Sequence, residues 1–187
     1  MKYYLAPLEG ITTTVFRNAY HAHFRPMDKY FTPFLVPHSK KGFSTREKRE
    51  VDPGNNRGLY LVPQIMSNQA KDCLQTIGKL EAYGYREINL NMGCPSKTVV
   101  SKGRGSGFLA YPEDLDAFLE EVFAGLPRHM KLSVKTRLGK EAPEEFYRIL
   151  DIYNQYPLEE LIIHPRVLTD FYNITPNLSL FAYGERN

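Results

Sequence analysis

Only two cysteines, Cys73 and Cys94, occur in 187 residues, so no disulfide framework can staple the chain, and a reducing compartment is its natural setting. No apolar run approaches the roughly 20 residues of a membrane-spanning helix. Residues 1–7 contain no long apolar h-region. A cytoplasmic protein without a membrane partner is expected. Spaced His, Asp and Glu ligands are missing as well, which argues against a metal centre of the hydrolase type. No nucleophile, base and orienting acid suggest themselves together, which disfavours serine or cysteine acyl transfer.

What is present suffices for a core: 42% of the residues are hydrophobic, and one domain is the natural expectation for this length. The formal charge of +3 permits a nucleic-acid or phosphate partner without demanding one.

The chain is organised around Ile88-Asn89-Leu90-Asn91-Met92-Gly93-Cys94-Pro95 and the glycine-rich run after it, Lys102-Gly103-Arg104-Gly105-Ser106-Gly107. Residues 87–91 alternate apolar and polar like a short strand, which Gly93 and Pro95 break. Cys94 is left at the strand's end near Lys97. By itself it reads either as a small buried hydrophobe or as an available thiol on a turn. The glycine run looks like a phosphate cradle but lacks the strand-to-helix setting of a dinucleotide fingerprint.

Strands are predicted at residues 3–6, 30–36, 58–65, 87–91, 132–137 and 160–164. Apolar residues at helical spacing predict helices over 15–24, 68–82, 112–124 and 143–153. The threonines at 12–14 offer hydroxyl caps for the first helix. The charged stretch 39–50, with Lys40, Lys41, Arg46, Lys48 and Arg49, reads as an exposed loop. Strand-then-helix units of this kind indicate a parallel α/β architecture. A doubly wound sheet would collect its polar residues at one crevice, whereas here every strand end contributes some. Pro7 to Glu9, His38, Gln64, Asn91 to Cys94, Lys135 with Arg137, and His164 with Arg166 all fall there, as at the mouth of a (β/α)8 barrel. Taken alone, Gln64 and Asn91 could be ordinary satisfied amides, and Lys135 and Arg137 an exposed pair on one strand face. If the ends converge, the pocket is cationic and amide-rich. It suits an anion that spreads its charge over a heteroaromatic ring, such as reduced flavin.

Five segments carry a resemblance to the tRNA-dihydrouridine synthases over residues 3–177: Ala6-Pro7-Leu8-Glu9-Gly10 with Gln64, Asn89 to Pro95, Gly103 to Gly107, Val134-Lys135-Thr136-Arg137, and Ile162-Ile163-His164-Pro165-Arg166. The resemblance implies an FMN-binding TIM barrel followed by a helical domain, and NADPH-driven reduction of the C5–C6 double bond of selected uridines in tRNA. It implies that Pro7, Leu8 and Glu9 lie beside the flavin, with Leu8 standing where the family often has methionine. Gln64 would bond the isoalloxazine edge, Lys135 would sit near N1 and O2, and His164 would face the ribityl and phosphate side. Asn91 would orient flavin or substrate. Cys94 would be the general acid that protonates uracil C5. Arg137 and Arg166 would contact RNA or support the pocket, and Lys97, Lys102 and Arg104 would meet RNA. The stretch 39–50 would join that RNA track.

The family barrel has eight strands and this chain shows six. An incomplete barrel over residues 1–177 is therefore expected, with a divergent tail at 178–187 and without the helical domain. Such a truncated chain is expected to bind FMN poorly and turn over little. Two alternatives remain on the same residues: another FMN barrel reductase acting on a small pyrimidine, and a non-catalytic RNA-binding remnant.

Overall fold

The computed structural model describes residues 1–37, 42–170 and 172–186. Among these residues strands alternate with helices: β1 (Tyr4–Leu5), α1 (Thr14–His23), β2 (Lys29–Phe31), α2 (Thr45–Val51), β3 (Leu61–Val62), β4 (Gln64–Ile65), α3 (Ala70–Ala82), β5 (Glu87–Met92), α4 (Lys97–Val100), α5 (Pro112–Gly125), β6 (Lys131–Arg137), α6 (Glu145–Tyr153), β7 (Leu161–His164) and α7 (Leu178–Arg186). Every paired strand is parallel, in the orders β1-β2-β3 and β4-β5-β6-β7. The architecture is α/β, an incomplete barrel that does not close among the described residues.

The single strand predicted at 58–65 is divided at Pro63, which has no N–H to give to a ladder. Its carbonyl still accepts from Asn89 N–H at 2.9 Å, and Gln64 N–H turns to the Thr32 hydroxyl at 3.0 Å. The two sheets therefore follow one another around this point. Pro33 similarly shortens the second strand to β2, after which only Leu35 bridges to Ile65.

Side chains of β5 and β6 alternate between two surroundings, as the period of two requires. Ile88, Leu90, Met92, Leu132 and Val134 join the core with Cys73, Ile77 and Leu80 of α3, Leu115, Phe118, Leu119 and Val122 of α5, and Ile149 of α6. Burying each large apolar side chain of α5 is worth about 1.5–3 kcal/mol. The opposite face carries Glu87, Asn89 and Asn91 beside Ser133 and Lys135, in register Asn89↔Ser133 and Asn91↔Lys135. Barrel interiors are usually filled by branched apolar residues. This one is polar.

At the amino ends of the strands the polar face begins with an ion cluster. Lys29 Nζ lies 2.8 Å from Glu87 Oε1 and 2.9 Å from Glu160 Oε2. Tyr60 donates to Glu87 at 2.8 Å and Tyr4 donates to Glu160. The cluster ties β1 and β2 to the start of β5 and to the residue before β7.

The charged stretch expected as an exposed loop is partly a helix, α2. Ser44 and Glu47 form a capping box, with Ser44 Oγ accepting from Glu47 N–H at 3.2 Å and Glu47 Oε2 accepting from Ser44 N–H at 2.8 Å. Glu50 is buried and takes Thr14 N–H at 2.8 Å and Arg17 Nη1 at 2.9 Å. Thus α1 is capped by a distant carboxylate, and the Thr13 hydroxyl makes no cap. His38, Lys40 and Lys41 lie outside the described residues. The stretch set apart as a tail forms α7, whose Leu180 packs with Leu138, Phe146, Leu150 and Val167.

Candidate active site at the carboxyl ends of the strands

Asn91, the last inward-facing residue of β5, shapes the turn that follows. Its Oδ1 accepts from Gly93 N–H at 3.1 Å and Cys94 N–H at 2.9 Å, so the chain curls around the amide and leaves the thiol at the strand's end. The Cys94 carbonyl accepts from Ser106 N–H at 3.1 Å and from its hydroxyl at 2.9 Å. This is where the glycine run is spent. Gly105 has φ +55°, and a Cβ there would stand 2.7 Å from the Cys94 carbonyl oxygen. The run is a buttress pressed against the cysteine turn.

A cleft of about 280 Å³ opens there, near the lower end of the usual size of small-molecule pockets. It is lined by Pro7, Leu8, Glu9, Gln64, Asn91, Cys94, Lys135, Arg137 and His164, all expected from the sequence, and also by Phe34 and Tyr172, which were not. Arg166, Lys97, Lys102 and Arg104 do not line it. Arg166 lies behind His164, with Nη1 3.2 Å from His164 Nε2 and Nε donating to the Ile174 carbonyl at 2.6 Å. Lys97 and Lys102 are exposed, and Arg104 Nε reaches Asn68 Oδ1 at 3.4 Å. A groove of similar volume between Leu109, Pro112, Lys140 and Arg148 has its Glu145 carboxylate committed to the N–H groups of Lys140, Glu141 and Ala142.

Gln64 and Asn91 are bonded to each other at 2.8 Å, and they line the cleft as well. Lys135 and Arg137 are not an exposed pair. Arg137 is 1% exposed and donates from Nε to the Gly93 carbonyl at 3.0 Å and from Nη1 to the Val167 carbonyl at 2.9 Å. Both bonds tie its side chain to backbone, one at the Cys94 turn and one after β7. Lys135 Nζ has neither a hydrogen bond nor an ion pair among the described residues.

Burial depresses the Lys135 pKa, Arg137 adds to the effect, and Cys94 opposes it. Burial pushes the Cys94 thiol up; the Ser96 backbone, Arg137 and Lys135 pull against that, while Glu9 reinforces it. His164 is lowered to about 4, by burial first and then by Arg137, Lys135 and Arg166. The site therefore holds a thiol that burial keeps protonated, a neutral imidazole and a lysine Nζ without a hydrogen-bond or ion-pair partner, between the apolar surfaces of Leu8, Phe34 and Pro95. A lysine without a partner beside amide groups and apolar walls suits a flat heterocycle with an acceptor-rich edge. At the mouth, the Tyr172 ring is 67% exposed and lies 5.8 Å from the guanidinium carbons of both Arg137 and Arg166. Nothing in its local sequence marks it. Its position comes from the chain folding back beyond β7.

Known proteins are similar to this chain over most of its length. The probable tRNA-dihydrouridine synthase of Staphylococcus aureus (strain COL) is 31% identical over 171 residues, covering 87% of this chain and 48% of that protein. The tRNA-dihydrouridine(16) synthase of Yersinia pestis is 26% identical over 191 residues, covering 99% of this chain and 60% of that protein. A probable tRNA-dihydrouridine synthase of Staphylococcus epidermidis is 31% identical over 165 residues, covering 87% and 49%. The chain thus spans about half the length of two of these curated relatives and three fifths of the third. The family model for dihydrouridine synthase matches residues 4–180, which takes in every strand of the sheet and every side chain of the cleft, and the chain belongs to the dihydrouridine synthase family.

Proposed function

We propose that this chain carries the catalytic site of a tRNA-dihydrouridine synthase, an FMN-dependent oxidoreductase that reduces uracil in tRNA with NADPH. One observation carries the reading: a half-buried thiol held protonated and a lysine Nζ without a partner face the same amide-lined cleft. The donor set fits the cofactor, because an ammonium and amide N–H groups match the carbonyl edge and the negative charge of a reduced flavin. When bound, FMN supplies the hydride for C6 of uracil.

The chain's own residues do the rest. Lys135 offers its positive charge to the anionic edge of the cofactor, while Gln64 and Asn91 hold that edge in place. Pro7 and Leu8 pack beside it, and His164 gives a neutral donor. Cys94 delivers the proton to C5 as a general acid, a role that requires the thiol to be protonated at working pH. Glu9 and burial keep it so, and Arg137 and Lys135 stabilise the thiolate left behind. Arg166, Lys97, Lys102 and Arg104, with Arg46, Lys48 and Arg49 of α2, supply the positive rim that tRNA phosphates require, so binding weakens steeply with salt. A cytoplasmic location follows from that substrate.

The sheet is open between β1 and β7 among the described residues, so these 187 residues alone should hold FMN more weakly than a closed barrel does. The test is to purify the chain, titrate it with FMN by fluorescence, and incubate it with NADPH and unmodified tRNA or free uracil. Weak but saturable FMN binding and dihydrouridine in tRNA alone, read by mass spectrometry, support the proposal. No FMN binding at millimolar concentration, or equal reduction of free uracil, overturns it.

A further inference from the structure

Beneath the cleft runs a chain of side-chain amides that ends at a hydroxyl outside it. Gly93 and Cys94 N–H donate to Asn91 Oδ1, Asn91 Nδ2 donates to Gln64 Oε1 at 2.8 Å, and Gln64 Nε2 donates to Asn89 Oδ1 at 2.7 Å. Asn89 Nδ2 then donates to Ser133 Oγ at 3.0 Å, and the Ser133 hydroxyl donates to the Ile88 carbonyl at 3.2 Å. Gln64, Asn89 and Ser133 are each 0% exposed and sit side by side on three neighbouring strands, in register Gln64↔Asn89↔Ser133.

Both ends of this chain are backbone groups that cannot reverse: N–H at the Cys94 turn and C=O at Ile88. Each amide between them therefore has one allowed orientation, since a reversal would set two NH₂ groups or two carbonyls against each other. Ser133 is the last acceptor. Its one hydrogen is spent on Ile88, so its lone pair must face Asn89. The order turns the carbonyl ends of Gln64 and Asn91 toward protein donors. Each amide nitrogen keeps a second hydrogen with no acceptor among the described residues.

Resting on the FMN reading above, we propose that Ser133 is a positioning residue: from outside the cleft it secures the far end of the amide order that begins at the Cys94 turn, holding Gln64 and Asn91 so that the cleft floor presents N–H donors. With Lys135 Nζ, a donor, beside them, the floor then accepts a heterocycle only by an edge of carbonyl or ring-nitrogen acceptors. Removing the hydroxyl leaves a buried Asn89 N–H without an acceptor, and the order decays from that end.

The test compares Ser133→Ala, Ser133→Cys and Ser133→Thr with the wild-type chain; cysteine keeps the volume with a weak acceptor, and threonine keeps the hydroxyl. Two readouts are taken: hydrogen exchange of the Gln64 and Asn91 side-chain NH₂ signals by NMR without cofactor, and FMN titration with the visible spectrum of the bound flavin. The expectation is faster NH₂ exchange, a loss of about tenfold or more in FMN affinity in the alanine and cysteine variants, the scale of one buried donor left unpaired, and recovery in the threonine variant. Wild-type NH₂ exchange in the folded alanine or cysteine variant overturns the proposal, and so does wild-type FMN affinity. If the wild-type chain binds no FMN, the cofactor reading fails instead, and the NH₂ signals still decide the role of Ser133.

Discussion

Arg166 Nη1 and His164 Nε2 are 3.2 Å apart, and a guanidinium can only donate. Nε2 is therefore the acceptor, and the neutral imidazole carries its proton on Nδ1. The expected outcome is an Nδ1–H tautomer in ¹⁵N NMR that stays neutral until about pH 4. In the unfolded chain the ring takes up its proton near pH 6.5. Between those values the unfolded chain binds more protons, so this group lowers stability as pH falls from about 6.5 to about 4 and has no effect above that window. Acid-side denaturation of His164→Gln should show a shallower loss over the same range.

Cys94→Ala should leave FMN affinity within about twofold of wild type and reduce dihydrouridine formation by about 10²–10⁴, the usual contribution of a positioned acid. Because burial raises the thiol pKa, the wild-type rate should fall only as pH rises past the ordinary thiol range, when the proton donor is lost. Alkylation of Cys94 by iodoacetamide should be slow at pH 7 and accelerate along the same curve. A thiol that reacts fully at pH 7 would contradict the assignment.

Lys135→Met should separate stability from function. It removes a buried polar group that has no partner, and the cofactor-free chain should gain about 0.5–2 kcal/mol in urea denaturation. FMN affinity should fall in the same variant. A variant that loses stability would mean that Lys135 is already compensated in the free chain.

Lys29→Met should do the reverse, because it leaves Glu87 and Glu160 facing each other without their cation. The loss is expected to be about 3–5 kcal/mol at pH 7, the scale of a broken buried pair. Part of it should return as the pH is lowered and the carboxylates take up protons.

Gly105→Ala forces a Cβ into a left-handed backbone and against the Cys94 carbonyl. A cost of about 1–3 kcal/mol for the backbone alone is expected, with the clash added to it. The displaced turn should lower turnover more than FMN affinity.

Much of the site is legible in the sequence because its residues stand at strand ends in a period of two. Asn89-x-Asn91-x-Gly93 and Ser133-x-Lys135-x-Arg137 project to one side, and the parallel order brings them to one rim. Other parts depend on contacts between distant segments. The division at Pro63 was readable from its missing N–H, but the rescue of Gln64 N–H by Thr32 was not. In α2 the Ser44-x-x-Glu47 capping box was concealed by the surrounding charges, and the burial of Glu50 follows only from Arg17 on another helix. Phe34 and Tyr172 carry no local signature, since a lone aromatic gains its place from what folds around it.

The division of labour across β5 and β6 has an evolutionary consequence. Cohesion resides on the side of Ile88, Leu90, Met92, Leu132 and Val134, while recognition resides on the reverse side of the same strands. Of the polar positions of β5, Asn91 alone lines the cleft, and changing it for a different ring or substituent leaves that apolar packing intact, whereas polar replacements at 88, 90 or 92 would unravel it. A single pleated ribbon can in this way drift toward new chemistry one face at a time.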